Sequence, residues 1–306
     1  MPTNAMTSPQ AAPAKPEAPS LPRIALVTPV FNSWKYIEAT IRSVIAQGYP
    51  NLDYFIVDAG STDGTLDVIR KYESQISGWI SEPDKGMYDA INKGFARTSG
   101  EIMGWISATD QLHVGGLAAV GSIFQDLPEV EWITARPTAF TEEGMTFQVG
   151  EIPRWSRYRF LAGANRYIMQ EATFWRRSLW EKAGGYVDAS RRIANDFELW
   201  VRFFRHAQLY SVETLIGGYR VHGDSLGLQE LEACHAVHDE VVEAELDRIA
   251  WGRSLRLFRK ISRAVKPIPK VRGFWWRVVM KSLYYRRGPD WPPVIVRRPD
   301  KWVIQR

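Results

Sequence analysis

An α/β fold, with an open and mostly parallel sheet flanked by helices, is predicted by three features of the sequence. Short β-branched runs alternate with stretches of helical periodicity. The first run ends in a Pro-containing turn and the next ones in turns carrying Asp and Gly. A chain of 306 residues, 45% of them apolar, can bury a sizeable core.

The run RIALVTPV (23–30) predicts a first strand, and Ile37, Ile41, Val44 and Ile45 in 36–47 fall on one helical stripe. YFIVDAG (54–60) predicts a second strand ending on Asp58, followed by a helix through TLDVIRKYES with Ser61, Thr62 and Asp63 available as caps. GWISEP predicts a third strand, MYDAINKGFARTSG a helix, and EIMGWISATD a fourth strand that ends at Asp110. Past residue 112 the alternation loosens. Residues 131–160 hold β-like pieces and a basic-aromatic turn, RWSRYRF, before helical patterns return in RRSLWEKAG and NDFELWVRFFRHA. Open sheets of this kind bind ligands at the carboxyl ends of their strands, where strand order reverses. That rule puts Thr28–Asn32, Asp58–Asp63, Glu82–Gly86 and Asp110 on one rim.

Three regions are expected: a disordered Pro/Ala-rich tail (1–22), a catalytic domain (23–226) and a basic, aromatic-rich helical extension (227–306). The tail lacks the basic and apolar blocks of a signal peptide. The single cysteine, Cys234, forms no internal disulfide, and no CxxC pair occurs, which fits a reducing, cytoplasmic compartment. Residues 248–306 carry 12 Arg and 5 Lys against Asp290 and Asp300, although the whole chain has a net charge of only +5. Here Trp251, Leu255, Phe258 and Val265 form a stripe among arginines, and GFWWRVVMKSLYYRR adds aromatic and basic residues. Such a segment suits an anionic membrane surface, the inner face of the plasma membrane, or else packs as a lid on the catalytic domain. Nucleic acid is not expected, because no recognition motif accompanies the basic residues.

Several polar residues have two readings. Asp58 either caps a turn or accepts hydrogen bonds from a base or ribose. Asp110 either begins a turn or supplies the one carboxylate that Mg2+ or Mn2+ needs when a diphosphate completes its shell; His222 is a further candidate ligand. Asp84, Lys85 and Gly86 form a turn where a phosphate could approach closely. Asp196 suits a helix start. Glu198, two residues on, should point elsewhere.

The ordered series TPVFN (28–32), VDAGSTDGT (57–65), SEPDKGMYDAINKG (81–94), GWISATD (104–110), MQEATFWRRSLWEKAGGYVD (169–188), IANDFELWVR (193–202) and GYRVHGDS (218–225) resembles the family 2 glycosyltransferases, which have the A-type glycosyltransferase fold. Within that family it resembles bacterial enzymes of colanic-acid, exopolysaccharide or lipopolysaccharide assembly. The resemblance implies inverting transfer of a sugar from a nucleotide diphosphate donor to a hydroxyl of a glycan or lipid-linked acceptor, with Mn2+ or Mg2+. It implies donor contacts at Thr28, Pro29, Asn32, Asp58, Asp63, Asp84, Lys85, Gln170 and Glu171, metal contacts at Asp110 and His222, and Asp196 as base. Two positions depart from the family pattern: Thr109 and Asn195 stand where paired acids are usual. A catalytically silent binding protein and a nucleotidyltransferase are the alternatives; the latter usually needs a glycine-rich phosphate loop, which TPVFNSWKY lacks.

Overall fold

The computed structural model describes residues 20–163, 167–223, 229–265, 268, 273–274 and 292–305. Most of the expected N-terminal tail, and most of GFWWRVVMKSLYYRR, lie outside the described residues. Strand β1 (Ile24–Val30) is buried along its whole length, as a central parallel strand is when both its faces are covered. Helix α1 (Trp34–Ile45) turns Tyr36, Ile37, Thr40, Ile41 and Val44 inward. Then follow β2 (Leu52–Asp58), α2 (Thr65–Lys71), β3 (Gly78–Ser81), α3 (Met87–Phe95) and β4 (Ile102–Trp105). Strand β4 stops five residues before Asp110, earlier than expected, because the chain turns at Ser107–Asp110 with Asp110 N donating to Ser107 O at 3.0 Å.

Beyond it run β5 (Gln111–Leu112), α4 (Gly116–Asp126), β6 (Trp132–Thr134), β7 (Thr138–Phe140), β8 (Thr146–Val149) and α5 (Arg157–Ala162). The expected turn RWSRYRF is in fact the start of α5, capped by the Ser156 hydroxyl accepting from Arg159 N. A 3-10 turn (Gln170–Ala172) leads into β9 (Thr173–Arg176), α6 (Arg177–Lys182), α7 (Asn195–Phe203), β10 (Leu209–Val212) and β11 (Gly217–Arg220). The chain continues with α8 (Leu231–Arg248), α9 (Gly252–Val265), β12 (Val294–Arg297) and β13 (Trp302–Gln305).

The main sheet has nine strands in the order β13-β12-β10-β6-β9-β4-β1-β2-β3, and a second sheet has the order β5-β11-β7-β8. Strands β3, β2, β1 and β4 are mutually parallel, while β9 runs antiparallel between β4 and β6. Chain order reverses at β1, so the ends of β1, β2 and β4 open on one crevice. Beneath it lies an aromatic core. Trp200 of α7 stacks on Trp105 of β4 (5.7 Å between centroids, 4° between planes) and on Trp132 of β6 (5.7 Å), with Trp175 of β9 edge-on at 5.6 Å. Burying side chains of this size stabilises by roughly 1.5–3 kcal/mol or more each.

The basic extension is not wholly helical. β12 pairs in parallel with β10, and β13 pairs with β12, so the C-terminal residues complete the main sheet. The β-branched sequence VIVR and Trp302 make those strands, a pattern that basic composition obscures. The stripe on α9 is also largely core: Leu255 and Phe258 are buried, and Trp251 packs on the Tyr158 ring at 4.8 Å. Arg256 and Arg259 are held by Glu243, Asp247 and Asp239 of α8. Among the described residues, no helix is long and apolar enough to cross a membrane. Trp302 fastens the terminal strands to α4, its Nε1 donating to Ser122 Oγ at 2.8 Å and its amide to Asp126 at 2.8 Å. Trp302→Ala should therefore cost about 3–5 kcal/mol in urea unfolding; a loss within 0.5 kcal/mol, roughly the scale of a neutral surface change, would mean that these strands add little to the fold.

Candidate active site

Asp58 ends β2 with its carboxylate fully buried. Oδ2 accepts from Gly60 N (2.9 Å), Ser61 N (3.0 Å) and Ser81 Oγ (2.6 Å), while Oδ1 has no partner among the described residues. Gly60, at φ +83°, lets the loop curl back over the acid. A buried acceptor without a donor costs about 1–3 kcal/mol, and a ligand N–H or O–H would recover that cost. Asn32, at φ +44°, ties this loop to the end of β1: its amide donates to Ser61 Oγ at 2.8 Å and its Oδ1 accepts from Thr62 N at 2.9 Å.

Three expected donor contacts have other work in the fold. Thr28 is buried, with its hydroxyl bonded to Tyr54 OH at 3.0 Å. Pro29 lies inside β1, opposite Val57. Asp63 spends Oδ1 on Thr65 N and Oγ1 and Oδ2 on Trp34 N, joining the first turns of α1 and α2. Burial pushes the Asp63 carboxyl upward, but these hydrogen bonds outweigh it and leave the acid below its ordinary range. Asp84 accepts from Gly86 N at 2.8 Å, and the Lys85 side chain stands exposed at the crevice edge.

Asp110, Gln170 and Glu171 are brought together. Asp110 is 1% exposed; Oδ1 accepts from Arg220 N at 3.0 Å and Oδ2 from Gln170 Nε2 at 3.3 Å. Glu171 is buried beside it. Gly217 is required there, because a Cβ would come within 2.1 Å of Glu171 O. Burial pushes Asp110 up to about 7, and burial with the Asp110 charge pushes Glu171 well above the carboxylate range. Arg220 counters this at Asp110 through its amide and its charge, and its side chain is anchored by Nε donating to Thr109 O and NH1 to Glu142 O, both at 2.6 Å. Its guanidinium and the His222 ring share the Tyr36 ring, at 5.5 and 4.9 Å.

The residues around Asp110 suit a cation. Glu171 Oε1 and Gln170 Oε1 are buried acceptors with no partner among the described residues, an excess that a hard divalent ion satisfies. Among the described residues, however, no three His, Cys, Asp or Glu side chains form a ready-made cage, so the rest of the shell has to come from substrate and water.

Asp196 lies in the first turn of α7, directly after Asn195. Ala194 before it is held at φ +60°, a strained conformation for a residue with a Cβ. Burial raises the Asp196 pKa, while the amides of Asp196 and Phe197 and the Tyr88 hydroxyl hold it down. Glu171 and Asp196 repel one another, so the two acid positions belong to one electrostatic site. Glu198 is committed to Arg202 (2.8 Å) and faces away, as its spacing predicts. Tyr88 and Arg220 are the residues to which sequence reasoning gave no role. Both lie inside the quoted motifs, and only their burial beside an acid distinguishes them.

The Asp110 shift makes stability pH-dependent. An unfolded Asp titrates near 3.9, roughly, so between about pH 4 and 7 the native state keeps a proton that the unfolded chain releases, and stability falls as pH rises. In metal-free protein, Asp110→Asn should flatten much of that decline and raise the melting temperature at pH 8. Melting curves across pH 4–8 with the parent's slope intact in the variant would contradict it.

The family model for glycosyl transferase family 2 matches residues 25–179. An uncharacterized glycosyltransferase of Mycobacterium tuberculosis is 32% identical over 187 residues, covering 60% of this chain and 69% of its own length. A putative teichuronic acid biosynthesis glycosyltransferase of Bacillus subtilis is 34% identical over 93 residues, covering 29% of this chain and 37% of its own. Among solved structures, a mannosyltransferase of Pyrobaculum calidifontis, in complex with GDP-Man and Mn2+, superposes with a TM-score of 0.58. It is 16% identical and covers 92% of this chain and 80% of its own; at that identity the likeness is one of fold.

Proposed function

The chain belongs to the family 2 glycosyltransferases, and from that premise we propose that it is an inverting enzyme that moves a sugar from a nucleotide diphosphate to a hydroxyl of a glycan or lipid-linked acceptor in cell-surface polysaccharide synthesis. The observation that carries this reading is the buried pair of acids Asp110 and Glu171, with Gln170 Nε2 donating to Asp110 Oδ2 at 3.3 Å, on the rim where Asp58 Oδ1 has no partner among the described residues. The teichuronic acid relative supports the cell-surface setting.

In this reading Asp58 Oδ1 receives an N–H or O–H of the nucleoside. Asn32 and Asp63 hold the two loops in register around it, and Asp84 and Lys85 line the donor side. Asp110 and the Gln170 carbonyl would hold the cation, with His222, which shares the Tyr36 ring with Arg220, as a further ligand beside the same diphosphate. The chemistry that Mn2+ or Mg2+ would supply there is charge neutralisation on the departing nucleoside diphosphate. Asp196 takes the proton from the acceptor hydroxyl as its oxygen bonds to the anomeric carbon and the bond to the diphosphate breaks on the opposite face. Burial raises the base toward the working pH, which is what proton abstraction from a hydroxyl requires.

Asp196→Asn keeps the shape and loses the base. Turnover of the preferred nucleotide sugar should fall by about 10^2–10^4-fold, while donor with Mn2+ still raises the melting temperature as in the parent. Binding without turnover in the parent itself would favour the silent-homologue reading.

Membrane contact is proposed for the face of α9 that the fold leaves outside, where Arg253, Leu257 and Lys260 are exposed. Sedimentation with vesicles should need anionic lipid and weaken with salt. Equal binding to neutral vesicles would reject the electrostatic account.

A further inference from the structure

The two oxygens of Asp58 are not equivalent. Strands β2 and β3 run parallel in a register that sets Ser81 beside Asp58, and three donors converge on one oxygen: Gly60 N at 2.9 Å, Ser61 N at 3.0 Å and Ser81 Oγ at 2.6 Å all reach Oδ2. A carboxylate oxygen has about two lone pairs, so Oδ2 is filled. Oδ1 is buried with the rest of the side chain and has no partner among the described residues. Two of the three donors to Oδ2 belong to the backbone of the turn after β2. The third is the Ser81 side chain, brought in from the neighbouring strand.

One open acceptor beside a filled one sorts nucleosides by their edges. Guanine presents a ring N–H with an amino N–H next to it, and ribose presents two neighbouring hydroxyls; each pair matches both oxygens of a carboxylate. At Asp58 the second donor of such a pair would meet an oxygen already ringed by donors and stay unpaired, which a buried site penalises. Uracil and thymine present one imide N–H with a carbonyl on either side. The N–H takes Oδ1, and the adjoining carbonyl, an acceptor, lies toward the donors around Oδ2. Adenine and cytosine have no ring N–H on the corresponding edge and would set a ring-nitrogen lone pair against Oδ1.

We infer that the donor carries a uracil-type base, uracil or thymine, and that Ser81 is a specificity-determining residue: by filling Oδ2 of Asp58 it leaves a single acceptor, which takes one imide N–H and rejects the paired donors of guanine. This rests on the nucleotide-donor reading of the crevice. It adds the class of base and the side chain that enforces it.

The test is a set of binding ratios. UDP, GDP, ADP and CDP differ only in base, so with the same Mn2+ concentration throughout, the ratio of their Kd values by titration calorimetry on the full chain reads the base alone. UDP should bind about 10–100-fold more tightly than the other three, the scale of one hydrogen bond to a charged group. Comparison of dUDP with dTDP separates uracil from thymine within the class. In Ser81→Ala the third position on Oδ2 is open to a second N–H, and the preference for UDP over GDP should shrink by about fivefold or more. In Asp58→Asn the turn amides hold the amide oxygen in the place of Oδ2 and the NH2 group takes the open position. An acceptor has then become a donor, so UDP should weaken by about 10-fold while CDP, with a ring nitrogen to receive that N–H, gains on it. Should Asp58→Asn fail to fold, Ser81→Ala decides. A parent that binds GDP, ADP or CDP as tightly as UDP, or a UDP-to-GDP ratio unmoved in Ser81→Ala, overturns the inference and leaves the transferase reading standing. A parent that binds none of the nucleotides overturns both.

Discussion

The stacking of Trp200 between Trp105 and Trp132 is the contact on which the candidate site depends. It joins α7 to β4 and β6, and Trp175 on β9 closes the cluster from the edge. Asp110 follows β4 and Asp196 opens α7, so one aromatic block sets the spacing of the two acids. The indole N–H groups of Trp105, Trp175 and Trp200 find no acceptor among the described residues. Each omission costs on the order of 1–3 kcal/mol, which ring burial has to exceed. Rigidity beneath the crevice is therefore favoured over full polar satisfaction.

Above that floor the site is crowded with acids. Burial raises the proton affinity of Asp110, Glu171 and Asp196, and at Glu171 the charges of Asp110 and Asp196 add to it. Arg220 is the main internal compensation. Its backbone amide reaches Asp110 and its side chain anchors the Thr109 and Glu142 carbonyls. Glu142 in turn accepts from Tyr36 OH at 2.8 Å and pairs with Lys35, closing the β7–β8 connection against the start of α1. The second sheet thus holds the charge balance of the acids as well as covering one side of them.

The alternating half of the fold was legible because its two periodicities are clean. β1 through β4 and the helices between them follow the sequence pattern to within a few residues. The later strands were obscured for physical reasons. β12 is four residues long and sits in a chain segment dominated by Arg and Lys, and β9 runs antiparallel, which no helix-strand alternation foretells. At the site, side-chain type was readable and partnership was not. Asp58 and Asp63 look equivalent in VDAGSTDGT, yet one keeps an oxygen with no partner among the described residues and the other spends both oxygens on Thr65 and Trp34. Thr28 likewise gives no sign in TPVFN that its hydroxyl is bonded to Tyr54 OH.

The two departures from the family's paired acids follow from this crowding. Thr109 needs only its carbonyl, which Arg220 Nε occupies, and a carboxylate in its place would add charge beside Asp110, where burial already favours the proton. Asn195 is fully buried at the start of α7, with Nδ2 donating to Arg191 O at 2.7 Å. An acid there could not make that donation. It would also set a second buried negative charge against Asp196, while the helix terminus and Tyr88 together supply few donors. With both positions neutral, each remaining acid keeps a distinct environment: Asp110 beside Arg220, Glu171 with an oxygen that has no partner among the described residues, and Asp196 at the first-turn amides of α7. Such separation lets chemically identical groups take different protonation states at one pH.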